Sequence, residues 1–204
     1  MIDFSLYLIT DRRQTGGRPL LEVVEAALSG GVRAVQLREK DLPTVELYDL
    51  AWELRALTAR FDARLLINER IDVALAVEAD GVQLGINSLP VTAARRIAPD
   101  LIIGYSSHSV GEAAAALAKG ADFVTFGPVF PTPSKAAYGE PLGLDALAEA
   151  CDRLPGPVFA LGGIKQANLA QVTATGCYRV ALISDILAAP DPAAAAEAFR
   201  RGLM

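Results

Sequence analysis

The sequence of 204 residues has little cysteine, histidine and aromatic content: two Cys, one His and 6% aromatic residues. Cys151 and Cys177 have neither the spacing of metal ligands nor a secreted context, which predicts two buried thiols rather than a disulfide or a zinc site. Long apolar runs are also absent, since no stretch approaches the about 20 residues that span a membrane. Residues 1–13 lack the basic-then-apolar order of a signal peptide. We therefore expect a cytoplasmic protein without a membrane partner.

Basic residues are too few and too scattered to suggest nucleic-acid binding. The 19 Lys and Arg are outnumbered by 24 Asp and Glu, and the net charge is -5. With 52% hydrophobic and 21% charged residues, the composition is that of a folded globular protein. No Pro/Gly/Ser-rich linker divides the chain, so we expect one domain over residues 1–204. A homo-oligomer is compatible with this composition.

Eight short segments rich in β-branched and apolar residues alternate with stretches of helical periodicity. The segments are SLYLIT (5–10), RAVQLR (33–38), ARLLIN (63–68), DGVQLG (80–85), LIIGYS (101–106), DFVTFG (122–127), PVFALG (157–162) and YRVALIS (178–184), and the helical stretches include residues 20–31, 44–57, 109–120 and 192–203. Strict alternation predicts a parallel sheet, because crossover helices return the chain to the same edge. Eight such units favour a single (β/α)8 barrel, with an open doubly wound sheet as the alternative.

Functional groups of such a barrel lie where strands end, and the second segment ends in polar residues. Period-two alternation directs Gln36 and Arg38 toward the barrel axis. Arg38 and Lys40 form a cation pair suited to a phosphate or carboxylate. The alternative is that Arg38 pairs with Glu39 or another acid at the rim.

A long loop, GPVFPTPSKAAYGEPLG (127–143), follows the sixth segment. Its length and four prolines are typical of a lid or binding loop, in which Lys135 would cover an anionic ligand. The alternative is an inert surface loop that the prolines only stiffen.

The last two segments end in a glycine pair and a hydroxyl. Gly162 and Gly163 allow backbone N–H groups to approach a ligand, and Ile183 and Ser184 begin the next helix. Loops 7 and 8 of these barrels often form a phosphate-binding cup, so these four residues are the predicted phosphate site. The sole histidine, His108, lies in GYSSHS at the end of the fifth segment, where it suits proton transfer or helix capping.

Taken together, the motifs resemble the thiamine phosphate synthase superfamily, which comprises the synthase proper and the TenI-type thiazole tautomerases. They are, in chain order, LYLITD, VQLREK, IN-x-R-x-D-x-AL, ADGV-x-LG, GYSSHS, GADFVTFGPVF-PT-x-SK, GGI and ISDI. The resemblance implies a (β/α)8 barrel that binds a thiazole phosphate, with the phosphate near Gly163 and Ser184. The expected substrate-binding residues are Gln36, Arg38, Lys40, Asn68, Gln83, Ser106, Thr132, Ser134 and Lys135.

The synthase pattern places Mg²⁺-binding aspartates in I-N-D and G-Q-x-D motifs. Here Glu69 replaces the first aspartate and Ser88 the second, so one carboxylate is lost. Mg²⁺ is usually held through one or two carboxylates together with substrate phosphates. Gln83, in place of the usual synthase histidine, and Val129-Phe130 resemble the tautomerase branch. The expected function is therefore a metal-free thiazole tautomerase, an isomerase without a cofactor.

The chain also departs from the tautomerase pattern, whose acid/base histidine follows the glycine of the sixth segment. Pro128 occupies that position, so Glu69 and His108 become the candidate catalytic residues. The competing role for Glu69, which lies beside Arg70 and near Asn68 at the barrel rim, is a simple ion pair, which would make it a poor acid. The intact QLREK and PT-x-SK motifs keep open a thiamine phosphate synthase, which joins thiazole phosphate to hydroxymethylpyrimidine diphosphate with Mg²⁺. A non-catalytic ligand-binding regulator is the third possibility.

Overall fold

Eight parallel strands close into a barrel in chain order, in a computed structural model that describes residues 2–132 and 140–204. The strands are β1 (Leu6–Ile9), β2 (Ala34–Leu37), β3 (Arg64–Asn68), β4 (Gly81–Leu84), β5 (Ile102–Ser107), β6 (Phe123–Phe126), β7 (Val158–Leu161) and β8 (Val180–Leu182). Pairing of β1 with β8 closes the ring. The predicted (β/α)8 barrel is confirmed, and the open-sheet alternative is wrong.

Helices follow the strands and cover the outside of the barrel. They are α1 (Leu20–Ser29), α2 (Thr44–Arg60), α3 (Ile71–Ala76), α4 (Val91–Ile97), α5 (Val110–Ala118), α6 (Gly143–Arg153), α7 (Leu169–Thr173), α8 (Ser184–Leu187) and α9 (Pro192–Gly202), with single-turn 3₁₀ helices at Arg12–Gln14 and Gln166–Asn168. None of the helices in the described residues is long and apolar enough to cross a membrane.

Four aromatic side chains fill the amino-terminal half of the barrel interior. Phe4, Tyr7, Phe123 and Phe159, called here the aromatic floor, are at most 4% exposed. Their ring centroids lie 5.1 to 5.9 Å apart in every pair. Most of these pairs are edge-to-face or tilted, as aromatic quadrupoles prefer. The floor gives the interior a rigid base on which the next layer of side chains rests.

A layer of polar side chains lies above the floor, one step nearer the carboxyl ends of the strands. Because inward side chains alternate along a strand, the layer follows the floor at a spacing of two residues. It comprises Gln36 on β2, Asn68 on β3, Gln83 on β4, Ser106 on β5 and Thr125 on β6. We call it the polar layer. It separates the apolar core from the loops at the carboxyl end, which is where ligands bind in barrels of this kind.

The two cysteines are close enough for their thiols to share a hydrogen bond. Cys177 is buried, Cys151 is half-buried, and both are free. The hydrogen bond from Cys151 lowers the pKa of Cys177 to about 7. The prediction of two buried thiols is therefore correct for Cys177 only, since Cys151 lies on the partly exposed face of α6.

Candidate active site

Four members of the polar layer, Gln36, Gln83, Ser106 and Thr125, are joined through Tyr7 by one continuous set of hydrogen bonds. The Gln36 Nε2 group donates to the Tyr7 hydroxyl at 3.0 Å, and that hydroxyl donates to Gln83 Oε1 at 3.3 Å. Gln83 Nε2 then donates to Ser106 Oγ at 3.1 Å and to Thr125 Oγ1 at 3.4 Å. Thr125 Oγ1 in turn donates to Ser106 Oγ at 3.4 Å. Buried polar groups need such partners, and here they have them.

Burial separates the polar layer into two levels. Gln36 and Gln83 are 2% and 1% exposed, whereas Asn68 and Ser106 are half-buried. The structure therefore places the two predicted glutamines at the base of the site, and Asn68 and Ser106 at its surface. Gly104 makes room for Gln83, because a Cβ at that position would lie 2.3 Å from Gln83 Oε1.

Arg38 extends from the end of β2 as a half-buried cation. Within the described part of the chain its guanidinium forms no ion pair, and its backbone N–H donates to Thr10 Oγ1 at 2.9 Å. Glu39 instead accepts from the Arg12 guanidinium at 3.0 Å and from the Arg12 backbone N–H. The alternative that Arg38 is neutralised by Glu39 is therefore wrong. An uncompensated guanidinium at a barrel mouth is suited to binding an anion.

Lys40 and Glu69 face each other across the ends of β2 and β3. Lys40 Nζ lies 4.0 Å from Glu69 Oε1, and both side chains are more than one-third exposed, so the pair is weak. Glu69 has a φ of +62°, and its backbone N–H donates to the Gln83 carbonyl at 2.9 Å. Arg70 pairs with Asp72 rather than with Glu69. The competing role predicted for Glu69, an ion pair at the rim, is therefore present in weak form, with Lys40 as the partner instead of the neighbouring Arg70.

His108 follows β5 and contacts the end of β6. Its Nδ1 lies 2.5 Å from the Gly127 carbonyl oxygen, and since a carbonyl can only accept, Nδ1 carries the proton. Ser109, rather than His108, caps α5 by accepting from the Glu112 backbone N–H at 3.1 Å. The capping alternative for His108 is therefore wrong. With Nδ1 bonded to this carbonyl, Nε2 is the ring nitrogen that remains for contact with a ligand.

The predicted phosphate cup is built from two turns at the ends of β7 and β8. Gly162 and Gly163 have φ values of +98° and +65°, which L side chains rarely adopt. A Cβ on Gly163 would lie 2.7 Å from Phe130 Cβ, so this glycine allows the loop after β6 to pack against loop 7. Asn168 Nδ2 fixes that turn by donating to the Gly163 carbonyl at 3.0 Å. Ile183 and Ser184 lie at the start of α8.

An acidic residue, Asp185, and a basic residue, Lys165, lie beside this predicted cup. Asp185 follows Ser184, and its burial raises the pKa of the carboxyl group, while the charge of Lys165 opposes that shift. Lys165 is exposed in loop 7.

The loop between β6 and α6 begins and ends at one place. The Leu142 backbone N–H donates to the Pro128 carbonyl at 2.8 Å, and Gly143 donates to Val129 at 3.2 Å. Thr132 is half-buried in this loop. The predicted substrate-binding residues Ser134 and Lys135 lie outside the described residues, and the predicted lid is a sequence-based expectation.

Glu69 is the carboxylate available for a divalent cation at the ends of β3 and β4. Ser88, where the synthase pattern has aspartate, uses its hydroxyl to accept from the Gly85 backbone N–H at 2.8 Å. Among the described residues, no group of three or more His, Cys, Asp or Glu could hold a metal ion. Glu69 therefore fits an Mg²⁺ ion that is shared with a diphosphate ligand, which needs one protein carboxylate, but not an ion held by the protein alone.

Sequence reasoning missed two members of the site. Thr125 follows Phe123 by two positions in DFVTFG, so the alternation that placed Gln36 inward predicts Thr125 there as well. Tyr7 gave no comparable signal, because its ring belongs to the aromatic floor and only its hydroxyl reaches the polar layer. That role depends on residues 29 and 76 positions away, which no local pattern connects.

The chain is similar to known proteins over almost its whole length. A family model described as thiamine monophosphate synthase matches residues 6–186. A Geobacter sulfurreducens protein named "Putative thiamine-phosphate synthase" is 61% identical over 199 residues, which cover 97% of this chain and 93% of that protein. The thiamine-phosphate synthase of Chloroflexus aurantiacus is 42% identical over 200 residues, 98% and 93% of the two chains.

A solved structure supports the same relationship. Thiamine phosphate pyrophosphorylase from Pyrococcus furiosus superposes with a TM-score of 0.91 and 43% identity, covering 98% of this chain and 95% of that one. These relatives carry the name of the transferase, so the expected isomerase function, a metal-free thiazole tautomerase, is wrong. Ser88, Gln83 and Val129-Phe130 had favoured that branch, and they are outweighed by similarity over the whole chain.

Proposed function

The chain belongs to the thiamine monophosphate synthase family, and we propose that it is a thiamine-phosphate synthase, a transferase that joins a thiazole phosphate to hydroxymethylpyrimidine diphosphate. The observation that carries the proposal is the cation pair at the end of β2, in which Arg38 meets no acid among the described residues while Lys40 has only a weak partner. A diphosphate group is an anion that can bind both of these cations.

Two separate anion sites agree with two phosphorylated substrates. Arg38 and Lys40 follow β2, whereas the cup of Gly163 and Ser184 lies at β7 and β8, and only β1 separates β8 from β2 in the ring. The polar layer lies between them. In this arrangement the cations hold the diphosphate and the cup holds the thiazole phosphate, so that the two heterocycles meet over Asn68 and Ser106.

The reaction breaks the bond between the pyrimidine methylene carbon and the diphosphate oxygen and forms a bond from that carbon to the thiazole nitrogen. Negative charge develops on the departing diphosphate, and Arg38 and Lys40 are placed to stabilise it. Holding both substrates in one orientation converts the encounter into an effectively intramolecular step. Exclusion of water from this space would favour the coupled product, because water competes with the thiazole nitrogen.

A magnesium ion, when bound, supplies further charge neutralisation on the diphosphate. Glu69 is the residue that would hold it, together with the substrate's own oxygens. Lys40, 4.0 Å from Glu69, competes for that carboxylate before the substrate binds and is free to contact the diphosphate afterwards.

The proposal is tested by incubating the protein with both substrates and following thiamine phosphate and diphosphate release, with Mg²⁺ and with a chelator. We expect stoichiometric formation of the two products, dependent on Mg²⁺ and on each substrate. Reactions lacking one substrate serve as controls, because hydrolysis of the pyrimidine diphosphate alone would release diphosphate without the coupled product. Absence of thiamine phosphate at saturating substrate and Mg²⁺ would contradict the proposed function.

A further inference from the structure

We propose that Tyr7 is a positioning residue that sets the hydrogen-bonding polarity of the substrate site. It holds Ser106 as a hydrogen-bond donor to the substrate and Gln36 as a hydrogen-bond acceptor. Its effect on turnover rests on the proposed function. Tyr7 lies in the aromatic floor and is 0% exposed, so it acts through Gln36 and Gln83 rather than by touching substrate.

The phenol of Tyr7 can donate only one hydrogen bond. Burial raises the pKa of this hydroxyl, so it keeps its proton throughout the physiological range. Rings of Phe4, Phe123 and Phe159 surround the tyrosine at centroid distances of 5.7 to 5.9 Å and hold it in place. Of the two amides that meet the hydroxyl, one must therefore donate and the other must accept.

The donor and acceptor roles at Tyr7 determine those at both ends of the polar layer, Gln36 and Ser106. Gln36 donates to Tyr7, Tyr7 donates to Gln83 Oε1, and the Gln83 amide nitrogen faces Ser106 and Thr125. Ser106 Oγ thus receives hydrogen bonds from Gln83 and Thr125, which occupy its lone pairs and leave its own proton to donate upward. At the other end, Gln36 Oε1 accepts no hydrogen bond from the described residues.

The two ends are linked in their chemistry. If both amides rotated, Gln83 would present its carbonyl and accept the Ser106 proton, while Gln36 would present its amide nitrogen. Any mixed state would leave a buried donor or acceptor without a partner, which costs about 1–3 kcal/mol. Ser106 and Gln36 therefore always have opposite hydrogen-bonding character, because a single phenol proton connects them.

This linkage selects a ligand edge that carries one donor and one acceptor. A heterocycle with a ring nitrogen that accepts and an N–H group that donates satisfies both ends at once. The pyrimidine of the diphosphate substrate belongs to this chemical class. An edge with two acceptors or two donors would leave one end of the layer unsatisfied and would bind less tightly.

Steady-state kinetics of Tyr7→Phe test the proposal, because the change removes the hydroxyl and keeps the ring. We expect KM for the pyrimidine diphosphate to rise about tenfold, the value of one lost hydrogen bond, and KM for the thiazole phosphate to change less than about twofold. Phe4→Leu is the matched control: it loosens the same aromatic floor but leaves every bond of the polar layer, and both KM values should stay near those of the parent.

A double-mutant cycle distinguishes positioning from ordinary loss of stability. If Tyr7 acts through Ser106, KM of the double variant Tyr7→Phe/Ser106→Ala for the pyrimidine diphosphate should be no more than about twofold above that of the more impaired single variant. Independent contributions would multiply instead. Multiplied effects, or equal KM increases for both substrates, would overturn the proposal.

Side-chain amide signals of Gln36 and Gln83, recorded by NMR without substrate, provide a readout that needs no activity. Both should shift in Tyr7→Phe and remain near the parent positions in Phe4→Leu. Unshifted signals in folded Tyr7→Phe would refute the coupling whatever the kinetics show. If the parent protein forms no thiamine phosphate, the proposed function fails, and the amide signals alone decide whether Tyr7 orients the two glutamines.

Discussion

Removal of the Arg38 side chain should weaken binding at one of the two proposed anion sites and leave the other unchanged. Its guanidinium meets no acid among the described residues, so its charge is available to the diphosphate. Arg38→Ala should raise KM for the pyrimidine diphosphate by about 10- to 100-fold, as expected for a charge-assisted hydrogen bond of ~1.5–3 kcal/mol. KM for the thiazole phosphate should change little, because the site proposed for that phosphate lies at β7 and β8. Steady-state kinetics with each substrate varied in turn would measure both.

Arg96→Ala is the matched control for Arg38, since Arg96 is exposed on α4 and distant from the polar layer. It removes the same charge from the protein and should leave both KM values unchanged. A similar loss in the two variants would mean that Arg38 contributes only to the overall field of the protein.

The local sequence predicts the direction of some side chains but not the partners of others. Gln36 and Arg38 were directed inward by alternation along one strand, and the structure agrees for the buried Gln36. The partner of Glu39 could not be found in this way, because Arg12 lies 27 positions earlier in another loop. Ion pairs between loops depend on the folded arrangement of strands, which a single-strand pattern does not contain.

Strand β5 depends on a glycine for its fit to the polar layer. A Cβ at Gly104 would lie 2.3 Å from Gln83 Oε1 and 2.4 Å from the Phe123 ring, and both neighbours are buried. Gly104→Ala should therefore destabilise the protein by about 1–3 kcal/mol, the range expected for overpacking a core. It should also raise KM for the pyrimidine diphosphate, because Gln83 must move. Urea denaturation and kinetics would measure the two effects.

Gly111→Ala makes the same chemical change as Gly104→Ala, but we expect it to stabilise the protein. Gly111 lies in α5, and a Cβ there meets no atom within 4 Å. Alanine should stabilise this helix by up to about 1 kcal/mol. If Gly104→Ala were as stable as the parent, the close packing of Gln83 over β5 would not matter.

Four of the helices were predictable from the periodicity of their own sequences. The stretches at residues 20–31, 44–57, 109–120 and 192–203 correspond to α1, α2, α5 and α9, which have enough turns to show helical periodicity. Helix α8 has four residues and is held by β8 and its neighbours rather than by its own sequence. Short elements at the ends of strands are also where the phosphate cup lies, so the predicted site was less well defined than the barrel.

The barrel as a whole followed from counting eight strand–helix units, but the reaction did not follow from the substituted residues. Ser88 and Gln83 pointed away from the synthase, although the motifs shared along the rest of the chain belong to it. A metal site that is completed by substrate tolerates the loss of one protein carboxylate. For that reason the change from aspartate to Ser88 separates the two branches of the family poorly.

An ion-pair network joins distant parts of the chain at the amino-terminal end of the barrel. Asp3, before β1, pairs with Arg64 of β3 at 3.0 Å, and Asp80, before β4, pairs with Arg64 and with Arg55 of α2, each at 3.1 Å. The hydrogen bond from Arg64 lowers the pKa of Asp3. A carboxyl whose folded pKa lies below its unfolded value stabilises the fold above the unfolded pKa and loses that contribution as pH falls through the folded pKa.

Asp3→Asn should therefore lower the urea midpoint at pH 7, and the difference from the parent should shrink as pH falls below about 4. Because the Asp3 side chain is 56% exposed, solvent screens the pair, and we expect a small effect that 0.5 M salt reduces further. Asp49→Asn is the control: Asp49 is exposed on α2 and forms no ion pair within the described residues. Denaturation series from pH 2 to pH 7 would measure all three proteins. A difference between Asp3→Asn and the parent that stays constant over that range would show that Asp3 acts through packing rather than through its charge.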